Sequence, residues 1–116
     1  MSIHDKAHEL AKALSTSYEY QAVLKAKQPL AADVVAKKMV TDFFAKQMEI
    51  QYAMMTGAPE DPEKKAQLQK MFELIQYNNV ARDYIQAQLR LQMIMQDVSK
   101  IIADSVAEGL DVIGKQ

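Results

Sequence analysis

The 116-residue sequence contains no cysteine, and that absence removes several kinds of chemistry together. Without thiols the chain cannot form disulfides, thiolate nucleophiles, zinc–thiolate sites or cysteine-ligated iron–sulfur clusters. A composition of this kind is compatible with a reducing compartment. Because no other soft ligand accompanies the methionine sulfurs and no Glu-x-x-His pair is present, we also expect no cofactor.

Tryptophan is also absent, and glycine and proline are scarce, with three of each. So few helix breakers among many Ala, Gln, Lys, Met and Leu residues favour an all-helical chain. Hydrophobic residues make up 49% and charged residues 25%, which is typical of a folded protein. The length suits one domain, so we predict a single helical domain over residues 1–116, frayed at 1–2 and 110–116.

Neither sign of charge is in excess, because 14 basic residues face 15 acidic ones. A nucleic-acid-binding protein usually carries a basic stripe, since phosphate contacts supply most of its affinity. No stretch of about 20 residues is free of charge, so no membrane span is expected. The polar start is not a secretory signal. We therefore expect a cytoplasmic protein.

Apolar spacing and capping residues predict five helices, at Ile3–Thr16, Tyr18–Lys27, Leu30–Thr56, Pro62–Tyr77 and Val80–Glu108. Pro29 is expected to end or bend the second helix. Gly57 is placed to close the third helix in a left-handed conformation, and Asp61 followed by Pro62 is a strong helix start. The predicted fold is an all-α, elongated antiparallel bundle with two long helices and about three shorter ones.

The fifth predicted helix carries more apolar surface than one helix contact needs. Its residues repeat at spacings of three and four, the pattern by which one helix packs on another. At roughly 42 Å, it is also longer than the roughly 35 Å diameter of a compact domain of this size. We predict a packing and contact stripe made of Tyr84, Leu91, Ile94, Met95, Val98, Ile101 and Ile102, joined by Met39, Phe43 and Phe44.

Two explanations of this stripe remain open. The two long helices could form a hairpin that the short helices cover. Alternatively, part of the stripe is an intersubunit face, most simply that of a homodimer built by two-fold symmetry. The second explanation is favoured by the excess apolar width.

Candidate catalytic and metal-binding residues are few. His4 and His8 stand four residues apart, as in the H-E-x-x-H motif of zinc helices, but Asp5 replaces the glutamate and no third ligand is evident. We expect both histidines to face solvent. No nucleophile–histidine–carboxylate set or phosphate-binding loop is present, so we do not expect an enzyme.

Two long stretches resemble a known family. HDKAHELAKALSTSYEYQAVLKAKQPLAAD, with Ser17-Tyr18-Glu19-Tyr20 at its centre and Asp33 at its end, resembles the N-terminal signature of the YlbF/YmcA family of small bacterial helical proteins. Residues Leu68 to Val106 resemble the C-terminal half, which has a short helix, an Asn-led break and a long helix. The resemblance covers nearly the whole chain and is nearest to the YheA-like branch.

The resemblance implies an all-helical protein that associates with itself or with relatives. It also implies a regulatory subunit, since members act in complexes linked to competence, sporulation, biofilm formation and messenger-RNA processing. Iron–sulfur binding is not implied, because this chain lacks the cysteines. We therefore expect a non-enzymatic interaction protein that docks onto other cytoplasmic proteins.

Two alternative functions remain open from the sequence. One is an RNA-associated accessory factor that contacts nucleic acid through Lys37, Lys38 and Lys46. The other is a small-ligand-binding helical bundle, which would need a pocket among the Met and Phe residues.

Overall fold

A computed structural model describes residues 2–112, and these residues form five α-helices and no strand. The helices are α1 (Ile3–Ser15), α2 (Tyr18–Ala32), α3 (Val34–Met55), α4 (Pro62–Ile75) and α5 (Asn79–Leu110). This confirms the predicted all-α fold with two long and three shorter helices. Gly114 and most of the predicted frayed tail lie outside the described residues.

Each helix begins at a polar residue whose side chain accepts a backbone N–H of the first turn. Ser17 caps α2 and Asp33 caps α3, with oxygen–nitrogen distances of 3.1 and 3.0 Å. Asp61 and Asn78 do the same for α4 and α5. Such caps satisfy N–H groups that lack a partner within the helix, and they fix where each helix starts.

The prediction that the second helix ends near Lys27 was wrong. Pro29 lies inside α2, which continues to Ala32, and α3 therefore begins at Val34 rather than at Leu30. Proline removes one backbone hydrogen bond, but Leu30 is buried in the core. We attribute the continued helix to that burial, because packing of this kind often outweighs local propensity.

The core is small and lies where four helices meet. Its buried members come from α2, α3, α4 and α5: Leu30, Ala36, Val40, Phe43, Ile75, Ala81 and Ile85. Leu30 near the end of α2 meets Ala81 and Ile85 near the start of α5, so these two helices run antiparallel. The α2–α5 pair makes the most extensive helix contact, followed by α3 with α4.

The molecule is extended and thin, with dimensions of 48 × 40 × 17 Å. Its radius of gyration is 18.1 Å, against about 13 Å for a compact domain of this length. Its accessible surface is 9181 Å², whereas a compact monomer of this mass exposes about 6,400 Å². The chain thus leaves far more surface in contact with solvent than its size requires.

Candidate protein-interaction surface

Two helical segments extend beyond the packed body, and we call them the α1 arm (residues 3–15) and the α5 arm (residues 95–110). With 15 residues, α2 covers about 22 Å of α5. The 32 residues of α5 span about 48 Å, so roughly its second half continues past the start of α2. Because α1 precedes α2 in the chain, both arms leave the body in the same region.

The α1 arm is an amphipathic helix with no buried residue. A reciprocal cap stabilises its start, since Ser2 accepts the N–H of Asp5 at 3.1 Å and the Asp5 carboxylate accepts the N–H of Ser2. Its apolar side presents Ile3, which is 87% exposed, and Leu10. Among the described helices, α1 contacts only α2. Apart from the half-buried Leu14, its apolar face therefore has no covering partner among residues 2–112.

The α5 arm shows the same property on a longer helix. Every residue from Ser99 to Leu110 is exposed. Ile101 and Ile102 are 69% and 56% exposed, and Val106 and Leu110 are also open to solvent. Residues 95, 98, 102 and 106 follow helical spacing, so Met95, Val98, Ile102 and Val106 form one apolar strip.

The predicted contact stripe divides at the boundary between the body and the α5 arm. Tyr84, Leu91, Ile94 and Val98 are half-buried, whereas Met95, Ile101 and Ile102 are exposed. The three residues expected from the third helix lie at the core: Phe43 is buried, and Met39 and Phe44 pack against it. Phe43 and Phe44 meet edge to face, with ring centroids 5.6 Å apart.

Sequence reasoning did not assign the α1 arm to the contact surface. The spacing of Ile3, Ala7, Leu10 and Leu14 predicts an apolar face, but it does not tell whether the same chain covers it. Only the short turn at Thr16 and Ser17, which directs α1 away from α5, decides this. Sequence pattern alone gives no angle for such a turn.

A second exposed apolar strip lies on α3. Met48, Tyr52 and Met55 follow helical spacing and are 68%, 70% and 86% exposed. Met54, beside this strip, is also open to solvent. This strip is remote in sequence from both arms.

The lysines considered for RNA contact are on α3, and two of them have acidic partners. Lys38 pairs with Asp42 at 3.0 Å, and Lys46 pairs with Glu49 at 3.3 Å. Lys37 lies beside a shallow surface depression near Val34. These pairs reduce the net positive charge that this face of α3 presents.

Glu49 also joins α3 to α4, because its carboxylate contacts Lys64 at 2.8 Å. Hydrogen bonds from Lys64 and Lys46 hold the pKa of Glu49 below its ordinary value of 4.5. The same contact with Glu49 raises the pKa of Lys64 above its ordinary value of 10.5. The ion pair is partly exposed, so it adjusts the α3–α4 contact rather than determining it.

The two features that the sequence offered for metal or ligand binding, the histidine pair and a groove beside the methionines, are both open to solvent. His4 and His8 are both exposed on the α1 arm. Residues 2–112 contain no group of three or more His, Asp or Glu side chains suited to a metal ion. The groove lined by Met39, Asp42, Met71, Leu74 and Ile75 has a volume of about 150 Å³. Wider surface depressions, one between α2 and α5 and one where α2 meets α3, have volumes of about 350 and 480 Å³.

Among the helices of residues 2–112, none is both long and apolar enough to cross a bilayer.

Comparisons with known proteins give relatives over most of the chain. A UPF0342 protein of Alkalihalophilus pseudofirmus is 36% identical over 107 residues, which is 92% of this chain and 91% of the relative. A UPF0342 protein of Streptococcus pneumoniae serotype 4 is also 36% identical over 107 residues, covering 92% and 96%.

A solved structure shares the fold. It is titled a protein of unknown function (DUF964) from Bacillus stearothermophilus, and it matches with a TM-score of 0.75 at 23% identity over 91% of this chain and 93% of that one. At this identity the likeness concerns the fold alone.

The model of one family matches residues 3–107, which is nearly all of the described chain. The description of that family reads "Control of competence regulator ComK, YlbF/YmcA", which links it to regulation rather than to a known enzyme activity. The match includes both stretches whose resemblance was noted from the sequence. The chain belongs to the YlbF/YmcA family.

Proposed function

We propose that this protein is a non-enzymatic regulatory factor of the cytoplasm that acts as a homodimer by binding other proteins. The observation that carries the proposal is the accessible surface of 9181 Å², about 2,800 Å² more than a compact monomer of this mass exposes. Large apolar side chains are exposed on both arms and on the α3 strip, among them Ile3, Leu10, Met48, Tyr52, Met55, Ile101, Ile102, Val106 and Leu110. Exposed apolar surface on this scale is typical of sites that bind proteins.

The division of this surface supports two separate binding roles. The arms lie at one region of the molecule, and the α3 strip of Met48, Tyr52 and Met55 belongs to a different helix pair. Self-association through one surface would leave the other free. A regulatory subunit needs such an arrangement, because it must hold its own assembly and a regulated protein together.

To test this proposal, the gene is deleted or replaced by a mutant allele, and the transcript levels of other genes are measured. We expect deletion of the gene to change transcript levels of competence genes, since the family is described by control of a competence regulator. The Tyr52→Asp allele is expected to reproduce the deletion while the protein remains folded and abundant. A deletion that leaves these transcripts unchanged would contradict the competence role.

The matched control for that allele is Tyr77→Asp. Tyr77 is 88% exposed but lies outside the α3 strip and both arms. We expect this allele to behave as the wild type. An equal loss of regulation in the Tyr52→Asp and Tyr77→Asp alleles would contradict the proposal that the α3 strip binds the partner protein.

The salt dependence of RNA binding distinguishes the RNA alternative from this proposal. Contacts to phosphate weaken steeply as salt rises, so a true RNA-binding face would be most evident at low salt. We expect no retention of single-stranded RNA in a filter-binding titration that starts near 50 mM salt. Binding there that is lost in a Lys37→Ala, Lys38→Ala variant would favour the alternative.

A further inference from the structure

We infer that the partner of the two arms is a second copy of this chain, and that the α1 arm of each copy packs along the α5 arm of the other. This inference rests on the homodimer of the proposed function and adds its geometry. Four arm helices, two from each copy, would then form the interface. The same two surfaces are used on both copies, as two-fold symmetry requires.

The amount of uncovered surface fits such a dimer. The excess of about 2,800 Å² per chain can be compared with the area that protein interfaces cover. A standard interface covers about 800 Å² on each partner, and obligate dimers cover more. The excess is therefore large enough for an obligate dimer and still leaves the α3 strip exposed.

The lengths of the two arms also match. The 13 residues of the α1 arm span about 20 Å, and the 16 residues of the α5 arm span about 24 Å. Each arm carries one apolar strip along its length. A contact between them covers both strips almost from end to end.

Contacts at the turn oppose pairing of the two arms within one chain. No Cα atom of α1 lies within 8 Å of α5. The turn is held by Thr16, whose hydroxyl donates to the carbonyl of Lys12 at 2.9 Å, and by Ser17, which caps α2. The Gln21 side-chain amide also donates to the carbonyl of Ser15 at 2.9 Å. Folding α1 back onto its own α5 arm would break these contacts.

Charged residues beside the strips are already paired within each arm, Lys6 with Glu9 at 3.4 Å and Lys100 with Asp104 at 2.8 Å, so the proposed contact between the arms rests on their apolar strips. A helix of 13 residues is also marginally stable in water by itself, so the α1 arm gains most from a covering partner.

The absence of native cysteine makes cross-linking a direct test. Copies carrying Leu10→Cys and copies carrying Ile102→Cys are co-expressed with different tags, purified together and treated with a short bismaleimide reagent. We expect a covalent dimer that carries both tags. The control combines Met48→Cys copies with Ile102→Cys copies, which should give no mixed dimer because Met48 lies on the α3 strip.

The other outcomes separate this inference from the homodimer itself. A particle with the mass of a dimer but no cross-link between Leu10→Cys and Ile102→Cys copies would overturn the arm exchange and leave the homodimer standing. A monomeric mass would overturn both. A further variant carries Leu10→Cys and Ile102→Cys on the same chain. If cross-links form only within single chains of this variant, α1 folds onto its own α5 arm, and the exchange is also overturned.

A charge substitution gives an independent readout. Ile102 on the α5 strip and Met48 on the α3 strip are 56% and 68% exposed, so a charge at either position is not buried within the single chain. We expect Ile102→Asp to weaken dimerisation at least tenfold without loss of helix content, and Met48→Asp to leave it unchanged. Equal dimer dissociation constants for the two variants would contradict the inference.

Discussion

Neighbouring residues of α4 lie in opposite environments. Ile75 is 1% exposed and belongs to the core, whereas Leu74 next to it is 54% exposed. Ile75 and Ile85 are the largest side chains that are fully buried in the described chain. Each therefore contributes a large share of a small core. Ile75 continues the helical spacing of Leu68 and Met71, which also pack against the core.

Truncation of Ile75 and of Leu74 should lower the free energy of unfolding by different amounts. Ile75→Ala is expected to lower the free energy of unfolding by about 2–5 kcal/mol, through lost burial and the cavity left behind. Leu74→Ala is expected to change it by less than about 1 kcal/mol, because most of the side chain is already in water. Urea unfolding followed by circular dichroism measures both, and similar losses would contradict this core assignment.

The starts and ends of helices show what local sequence determines. Asp61 with Pro62 was predicted as a helix start and Gly57 as a left-handed helix end, and both predictions are confirmed. A cap depends on residues within one turn, so the sequence contains the information. The second helix was predicted too short because its continuation past Pro29 depends on burial of Leu30 against α5, a contact distant in sequence.

Two glycines offer opposite tests at helix ends. Gly57 has φ of +80°, and a methyl group there would touch nothing within 4 Å. Gly57→Ala should therefore destabilise the protein by about 1–2 kcal/mol through backbone strain alone. Gly109 lies in the last turn of α5 with open space around it. Gly109→Ala should raise helix content slightly, because alanine favours the helix by up to about 1 kcal/mol.

Thermal unfolding and the helical signal in circular dichroism measure the effects of Gly57→Ala and Gly109→Ala. A gain in stability for Gly57→Ala would show that the turn after α3 does not hold the left-handed conformation.

The α3–α4 ion pair should make stability depend on pH. Because the pKa of Glu49 is lowered in the folded state, its contribution is full above the ordinary value of 4.5 and is lost as pH falls through the lower folded value. Because the pKa of Lys64 is raised, its contribution is present below 10.5 and is lost as pH rises further.

Glu49→Gln should accordingly lower the melting temperature slightly at pH 7 and have no effect at a pH well below 4.5. Lys65→Gln is the control, since Lys65 pairs with Glu60 instead. A difference between wild type and Glu49→Gln that persists unchanged in acid would contradict this account of the pair.

The whole molecule is extended because roughly half of its longest helix, α5, is not covered by any other part of residues 2–112. The sequence predicted this excess, since the fifth helix was too long for a compact domain of 116 residues. It could not predict which residues would remain exposed. That depended on the length of α2 and on the turn at Thr16 and Ser17, which fix where the body ends and both arms begin.

The central claim is that a second copy covers the arms, and the mass of the protein in solution tests it most directly. Light scattering at low micromolar concentration should give twice the chain mass of 13.1 kDa. The Ile102→Asp variant should move toward the mass of one chain. A wild-type mass of 13.1 kDa at this concentration would contradict the account.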